Sequence, residues 1–458
     1  MGKKVTVEEL LAKAKRPAKL ALAYHPFYEG KVQVMPKCAI RTPYDFAIWY
    51  TPGVATPCRK IKEEPELVFR YTNRWNYVAV VSDGTRVLGL GDIGPEAGLP
   101  VMEGKALLFK YLGGVDAFPI CLGTKDPDEI ISACRWLEPT FGGINLEDIS
   151  KPKCFYILEH VRDQLKIPVW HDDQQGTASV ILAGLINALK LVGKKMDEAL
   201  ITMIGVGSAN TRTAIVLMRA GVKPGNIMMV DTKGILHSNR KDLKAEKKEN
   251  PWKWDFCLKT NAEGRTGGVV EALKDTDVCI AASKPGPGTI KKEWVAQMAT
   301  DSILFACANP IPEIWPWEAK EAGARIIATG RSDFDNQINN SLGFPGIFRG
   351  VLDVKAKTIT DDMCIAAGME LAKFAEERGI HEGDIVPRMD EWEVYPREAV
   401  ACALKSMEEG VARVKLSRQE LWDRAVSIIK NARESAKVLM EKGLILPPPS
   451  EEEVLGSP

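Results

Sequence analysis

The sequence has no excess of charge of either sign, no paired cysteines and no long apolar run. Lysine plus arginine and aspartate plus glutamate both count 61 in 458 residues, which gives no support to a nucleic-acid partner, since such partners usually require a basic surface. The ten cysteines form no C-x-x-C pair, which predicts reduced thiols in a cytoplasmic protein and not a disulfide framework or zinc site. No apolar run reaches about 18 residues, so no membrane partner is expected.

The N-terminal segment also lacks the apolar stretch of a signal peptide and carries Glu8 and Glu9. Residues 1–6 fit the loose N-myristoylation pattern, but a basic terminus that leads into a helix accounts for them. Thr6 with Glu9 three residues later is a capping-box pattern, which predicts an amphipathic helix over 5–16.

From residue 167 onward, short apolar strands and helices alternate, which is typical of βαβ units around a parallel sheet. The predicted fold class is α/β, with an N-terminal α/β domain over 1–160 and a Rossmann-like parallel-sheet nucleotide domain over 161–390. Helices are predicted to follow, and residues 391–458 are expected to pack on the N-terminal domain, with a disordered tail beyond 447. Strands are predicted over 78–82, 115–121, 144–147, 168–170, 200–204, 227–230, 277–282, 303–308 and 325–329.

A glycine-rich turn after the strand at 200–204 predicts a dinucleotide site. Gly205 permits a tight turn, and Gly207 lets a pyrophosphate approach the backbone at the start of a helix. Asn210 stands where a third glycine or alanine is usual, so close helix–strand packing is an alternative explanation. Asp231, 21 residues after Asn210, favours NAD over NADP, because it can bind the ribose hydroxyls, although Lys233 could serve a phosphate.

Four acidic residues follow two predicted strands. Glu147 and Asp148 end one strand, and Asp172 and Asp173 follow the next. Acids at the carboxyl ends of parallel strands face the ligand crevice, and carboxylates without cysteine suit Mg²⁺ or Mn²⁺. Helix capping and a solvated turn are the structural alternatives.

Two further residues suit proton transfer. Lys105 follows a Gly/Pro-rich loop and is predicted to open a helix over 105–112, where the helix dipole and apolar neighbours would lower its pKa. Tyr50 precedes a Thr-Pro-Gly turn that would hold a phenol in place. A solvated lysine and a half-buried core tyrosine are the alternatives.

Several blocks, in this order along the chain, resemble the conserved motifs of malic enzymes. The similarity covers the tyrosine, substrate-loop, lysine, metal and C-terminal substrate motifs of that family. In this sequence the corresponding segments are YTPGVA (50–55), SDG (82–84) with GLGDIG (89–94), EGKA (103–106), INLEDI (144–149), HDDQQGTA (171–178), TGRSD (329–333), NQINN (336–340) and FPG (344–346). The resemblance spans about 42–353.

The resemblance implies oxidative decarboxylation of L-malate to pyruvate and CO₂ with NAD(P)⁺ and a divalent metal, which is the activity of a decarboxylating malate dehydrogenase. It further implies a homodimer or homotetramer, with the N-terminal helix as a candidate interface. Lys105 would be the base for the C2 hydroxyl, Tyr50 would protonate C3, and Asp172 would tune Lys105.

The resemblance also assigns the binding residues. The metal would be held by Glu147, Asp148 and Asp173. Substrate would be bound by Arg86, Asn309 and Asn340. The cofactor would be bound by Gly205, Gly207, Ser208, Ala209, Asn210, Asp231, Ser283 and Asn309. Asn210 departs from the family pattern, which leaves the cofactor choice open.

Two other functions remain as alternatives. A malolactic-type decarboxylase would keep NAD bound and release lactate. A nucleotide- and metal-binding sensor with a degenerate site would not need the proton-transfer pair Tyr50 and Lys105.

Overall fold

Short β-branched and apolar runs form two sheets in the computed structural model, which describes residues 7–456. The predicted cap at Thr6 and the pattern over 1–6 lie outside the described residues. All nine strands predicted from the sequence are present within one or two residues, and this confirms the α/β fold class.

The first sheet is four-stranded, parallel throughout, with the order β2-β1-β3-β4. Its strands are β1 (Tyr77–Ser82), β2 (Asp116–Cys121), β3 (Gly143–Leu146) and β4 (Val169–His171). The predicted division at 160/161 placed β4 in the nucleotide domain, and this assignment is wrong. Ile144 pairs with Val169, so β4 extends the N-terminal sheet, and the carboxyl ends of β3 and β4 lie side by side.

The second sheet is six-stranded with the order β10-β9-β8-β5-β6-β7. Its strands are β5 (Ile201–Ile204), β6 (Ile227–Asp231), β7 (Gly234–Ile235), β8 (Val278–Ala281), β9 (Ile303–Ala306) and β10 (Ile326–Thr329). Only the short β7 runs antiparallel. The chain proceeds outward in opposite directions from β5, to β6 on one side and to β8 on the other, so a crevice forms where these strands end, as in other doubly wound sheets.

Helices cover both sheets. The helices are α1 (Val7–Tyr28), α2 (Tyr44–Trp49), α3 (Ala55–Glu63), α4 (Val68–Tyr71), α5 (Pro95–Gly113), α6 (Pro127–Leu137), α7 (Lys153–Gln164), α8 (Thr177–Val192), α9 (Ser208–Arg219), α10 (Lys241–Ala245), α11 (Pro251–Lys259), α12 (Val269–Leu273), α13 (Lys292–Val295), α14 (Pro316–Glu321), α15 (Phe344–Asp353), α16 (Asp361–Arg378), α17 (Val394–Glu408), α18 (Arg418–Glu441) and α19 (Glu451–Leu455). Of the C-terminal helices, α18 packs on α5 and so joins the N-terminal domain.

Two predicted helix boundaries are wrong, the end of α1 and the start of α5. α1 was predicted to end at residue 16, but it continues through Pro17 and Pro26 to Tyr28. α5 begins at Pro95, ten residues before the predicted start at Lys105, and it continues through Pro100 because its following turns bury Met102 and Phe109 in the core. The tail is ordered where disorder was predicted. Ser450 caps α19 by accepting a hydrogen bond from the Glu453 backbone N–H, and α19 packs on α1.

The helical segment that contains α8 is strongly apolar. Residues Asp172–Val192 are long and apolar enough to span a membrane by length and composition, but 72% of that window is buried inside the protein. The apolar surface of α8 is therefore used by the core, where it packs against α9 and α16.

Candidate active site

Three carboxylates converge at the carboxyl edge of the first sheet. Glu147 and Asp148 leave β3, Asp173 leaves β4, and one oxygen of each lies within 4.8 Å of the others. Parallel pairing of β3 with β4 produces this convergence, because both strands deliver the following residues to the same edge.

Hydrogen bonds orient the carboxylates. The Asp148 backbone N–H donates to Asp173 Oδ2 at 3.1 Å, and Asn145 Nδ2 donates to Glu147 Oε2 at 2.8 Å. Asp148 adopts a left-handed backbone conformation with φ 53°, which turns its side chain back toward the cluster. Its Oδ2 atom is buried and has no hydrogen-bond partner among the described residues.

The electrostatics of this cluster favour a bound cation. Burial, reinforced by the neighbouring carboxylates, raises the pKa of Asp148 to about 8 and that of Asp173 to about 6. Burial likewise raises the pKa of Glu147 well above its ordinary value. His171 supplies no counter-charge, because burial lowers its pKa to about 3 and keeps it neutral. An all-oxygen set with an orphaned buried oxygen fits a hard divalent cation such as Mg²⁺ or Mn²⁺.

Lys105 lies in the middle of α5 and points at the same cluster. Its Nζ is 2.5 Å from Asp172 Oδ2 and 3.3 Å from Glu147 Oε1, and it lies 4.2 Å from the centroid of the Phe344 ring. Burial alone would lower the pKa of Lys105, but Asp172 and Glu147 outweigh this effect and raise it above the ordinary value. The predicted lowering of the Lys105 pKa is therefore wrong, both because Lys105 is not at the helix terminus and because the acids are in contact with it.

Asp172 is fully buried and separate from the three-carboxylate group. It accepts hydrogen bonds from Lys105 and from Trp170 Nε1, the latter at 3.2 Å. A π-helical turn, Asp172–Gly176, holds it there. A Cβ on Gly176 would lie 2.0 Å from Asp172 Oδ1, so glycine is required for this close approach.

The three residues predicted to bind substrate lie around this edge, and they differ in the contacts that they make. Arg86 is exposed; its backbone N–H donates to Asp148 O at 2.9 Å, and its guanidinium donates to Leu88 O at 2.6 Å. Asn340 lies against the π-helical turn Asp172–Gly176, since a Cβ on Gly176 would be 3.1 Å from the Asn340 Cβ. Asn309 reaches the substrate loop, because a Cβ on Gly89 would be 2.7 Å from its carbonyl oxygen.

Tyr50 is not joined to this cluster. It follows α2, its side chain is 73% exposed, and its hydroxyl makes no hydrogen bond to any residue of the described chain. The structure therefore brings together Lys105, Asp172 and the three carboxylates, and it leaves Tyr50 on the surface.

The dinucleotide loop connects β5 to α9. Gly205 adopts φ 95°, and a Cβ there would lie 2.6 Å from Ala282 O, so the loop approaches the end of β8 closely. Ser208 and Ala209 open α9, whose first N–H groups have no side-chain cap. Such a helix start favours an anion.

Asn210 stabilises the loop at the position where a third glycine is usual. Its side chain is buried, and Nδ2 donates at 2.9 Å to both Ile204 O and Gly205 O. The amide therefore ties α9 to the end of β5. It supports the loop conformation.

Asp231 ends β6 but is not free. Its carboxylate pairs with Arg240 at 3.0 Å and with Lys253 at 2.5 Å, and burial of the group is outweighed by these partners, which lower its pKa. Beside it lies a cavity of about 400 Å³ lined by Asp231, Lys233, Arg240 and neighbouring residues. Cations therefore flank the acid that was predicted to select NAD.

Glu313 was missed by the sequence reasoning. It is buried and accepts hydrogen bonds from the backbone of Ser283 at 2.8 Å and of Ala308 at 3.0 Å, thereby holding the two loops that carry Ser283 and Asn309. Trp170 and Arg240 were missed as well. Trp170 and Arg240 bond to residues close to them in sequence, Asp172 and Asp242 respectively, but no motif marks such contacts, and Glu313 reaches Ser283 from 30 residues away.

Comparison with known proteins supplies independent information. The family model described as "Malic enzyme, N-terminal domain" matches residues 29–162, and the one described as "Malic enzyme, NAD binding domain" matches residues 174–405.

Proteins similar in sequence to this chain are also named malic enzymes. A bifunctional malic/malolactic enzyme of Bacillus subtilis is 46% identical over 404 residues, which cover 88% of this chain and 96% of that protein. An NAD-dependent malic enzyme of Geobacillus stearothermophilus is 47% identical over 384 residues, covering 84% and 78%. Other relatives are NADP-dependent malic enzymes. The crystal structure of the Entamoeba histolytica malic enzyme is 48% identical with a TM-score of 0.95, covering 99% of this chain and 95% of that one.

Proposed function

The chain belongs to the malic enzyme family and catalyses the oxidative decarboxylation of L-malate to pyruvate and CO₂ with reduction of NAD(P)⁺, and we propose that the site described above carries this reaction. The observation that supports this location is the buried contact of Lys105 with Asp172 and Glu147 at the edge where three carboxylates converge.

Glu147, Asp148 and Asp173 would hold Mg²⁺ or Mn²⁺. When bound, such an ion supplies a Lewis acid for the C2 oxygen of malate and offsets the negative charge of the cluster. Asp173 keeps 29% of its side chain exposed, which leaves the group accessible from the cleft.

Lys105 would remove the C2 hydroxyl proton, and a nicotinamide cofactor, when bound, would supply the acceptor for the C2 hydride. Asp172 and Glu147 hold Lys105 as an ammonium, so it acts as a base only where their charge is offset. Asp172 then keeps the Lys105 side chain directed at the cluster and provides a place for the proton 2.5 Å away.

Loss of CO₂ breaks the C3–C4 bond and leaves enolpyruvate, which needs a proton at C3. Tyr50 would deliver this proton, and because its hydroxyl is on the surface, the delivery requires closure of the cleft or an oligomer contact. Arg86, Asn309 and Asn340 would bind the substrate carboxylates. Arg86 brings the charge, and the two amides fix the orientation.

A homodimer would account for the surface around Tyr50. The apolar side chains Tyr44, Phe46, Ile48 and Trp49 of α2 are each 45–73% exposed. An apolar patch of this kind is typical of an interaction surface, and a second copy of the chain is the partner we propose. Light scattering should report a dimer that Phe46→Asp with Trp49→Asp converts to a monomer, whereas Leu258→Asp on α11 leaves it intact.

NAD⁺ would be the preferred cofactor, by a small margin. Asp231 can accept hydrogen bonds from the adenosine ribose and repels a 2′-phosphate. Lys233, Arg240 and Lys253 lie beside it and reduce that repulsion. A KM for NAD⁺ about tenfold below that for NADP⁺ is therefore expected, equivalent to about 1.4 kcal/mol.

The cell compartment is proposed to be the cytoplasm, without nucleic-acid or membrane partners. All ten cysteines are free thiols, and six of them are buried. Cell fractionation of a tagged chain, with the thiols counted before and after denaturation, tests this proposal.

One assay tests the function as a whole. Purified protein with L-malate, Mn²⁺ and NAD⁺ should form pyruvate and NADH in equal amounts, and Glu147→Gln should abolish both. The relative named as a bifunctional malic/malolactic enzyme favours lactate release as a second candidate function. Lactate without net NADH would support that candidate and exclude simple oxidative decarboxylation.

A further inference from the structure

Lys151 of the N-terminal domain touches the dinucleotide loop of the other domain. It lies between the acidic pair that ends β3 and the start of α7, three residues beyond Asp148. Its Nζ donates a hydrogen bond at 2.8 Å to the backbone carbonyl of Val206, which is the central residue of the loop between β5 and α9.

Lys151 has no acidic partner of its own. Within residues 15–456 it forms no ion pair, whereas nearby Lys153 pairs with Asp83 inside the N-terminal domain. Burial, together with nearby Lys253 and Arg86, lowers the pKa of Lys151 against an opposing effect of Asp231, so an anion placed here would stabilise its charge. An ammonium in such a place, held only by a neutral carbonyl, is suited to an anionic ligand.

The geometry identifies which anion fits. Val206 lies between Gly205 and Gly207, and α9 starts at Ser208 with uncapped N–H groups. In a doubly wound sheet this position receives the dinucleotide pyrophosphate. Exchange of a carbonyl for a phosphate oxygen would give Lys151 a charge-assisted hydrogen bond, which is stronger than a neutral one.

We propose that Lys151 binds the pyrophosphate of the nicotinamide dinucleotide, so that the N-terminal domain contributes a cofactor-binding residue across the cleft. This inference rests on the proposed function, since it takes the loop after β5 to be the cofactor site. It assigns a role to a residue outside the catalytic cluster and outside the nucleotide domain.

The test compares Lys151→Gln and Lys151→Arg with Lys166→Gln, which removes the same charge from an exposed lysine just beyond the other end of α7. NADH binding is measured by fluorescence, and ADP-ribose, which keeps the pyrophosphate and lacks nicotinamide, is measured by displacement. Loss of one hydrogen bond to a charged group predicts affinities about 10- to 100-fold lower for Lys151→Gln. Lys151→Arg should recover most of this loss, and Lys166→Gln should match wild type.

Further measurements separate binding from a structural effect. In Lys151→Gln, kcat at saturating NAD⁺ and the affinity for Mn²⁺ should stay within about threefold of wild type, because the catalytic groups are unchanged. Unaltered ADP-ribose affinity in Lys151→Gln overturns the inference, as does a loss confined to NADPH, which would place Lys151 at the 2′-phosphate. Wild-type protein that binds NADH but forms no pyruvate would instead contradict the proposed function alone.

Discussion

Removal of the Lys105 ammonium should lower both the stability and the activity of the protein, and the structure allows each loss to be estimated. The ammonium is 2.5 Å from Asp172 and 3.3 Å from Glu147, and the Lys105 and Asp172 side chains are 8% and 0% exposed. Lys105→Ala would leave Asp172 buried without its cation, and breaking a buried pair in this way costs about 3–5 kcal/mol. Loss of a general base should lower kcat by about 100- to 10,000-fold.

A second substitution isolates the electrostatic part of that cost. Lys105→Ala with Asp172→Asn removes both charges and keeps an acceptor for Trp170 Nε1, so it should regain most of the lost stability and none of the activity. The single variant should also be pH-sensitive. Burial raises the folded-state pKa of Asp172 above its unfolded value, so protonation favours the folded state. The stability deficit is therefore present at high pH and shrinks as the pH falls through the folded pKa.

Urea unfolding at pH 8 and pH 5.5, with malate-dependent NADH formation at saturating Mn²⁺, measures these effects. Three results would refute the reasoning. Turnover of Lys105→Ala above a tenth of wild type removes it as the base. Equal stability of the single and double variants shows that Asp172 is not an uncompensated charge. A deficit that grows toward low pH gives the wrong sign for a raised carboxyl pKa.

Three further predictions concern the carboxylate cluster and the dinucleotide region. Gly176→Ala, whose Cβ would lie 2.0 Å from Asp172 Oδ1, should weaken activity at least about tenfold without removing any catalytic group, and wild-type kinetics would contradict the close approach. Mn²⁺ affinity should rise between pH 6 and pH 8, and binding should release protons, since the pKa values of Asp173 and Asp148 are raised to about 6 and about 8. Calorimetry in buffers of different ionisation enthalpy measures the released protons. Binding that does not depend on pH would contradict the prediction. Asp231→Ala should free Lys253, leave Arg240 paired with Asp242 alone, and shift the ratio of kcat/KM toward NADP⁺ by about tenfold or more. Steady-state kinetics with an unchanged ratio would show that Asp231 does not select the cofactor.

The strands were predictable because each is a short run that must satisfy burial and turn chemistry locally. Leu200 to Ile204 followed by Gly205 is such a case, and the structure places β5 over Ile201–Ile204. The start of α5 was not predictable in this way. Pro100 suggested a loop, yet the helix passes through it, since core packing of the later turns outweighs one missing hydrogen bond.

The C-terminal tail shows a local signal that composition concealed. Three prolines and three glutamates suggested disorder, but Ser450 and Glu453 form a capping box and α19 packs on α1. The Ser-x-x-Glu spacing was present in the sequence and predicts a helix start.

The sequence by itself determined which residue types stand at the strand ends: the acids after β3 and β4, and the glycines after β5. Parallel sheets deliver such ends to one edge, so the convergence of the acids, and the meeting of the glycine turn with the start of α9, follow from order along the chain. Only the tertiary structure decided the charge states and contacts. Acids from other segments outweigh the effect of burial and raise the pKa of Lys105, Arg240 pairs with Asp231, and Tyr50 is left exposed. These properties depend on distances between residues far apart in the chain, and electrostatic interactions respond to those distances and to desolvation, which no local pattern records.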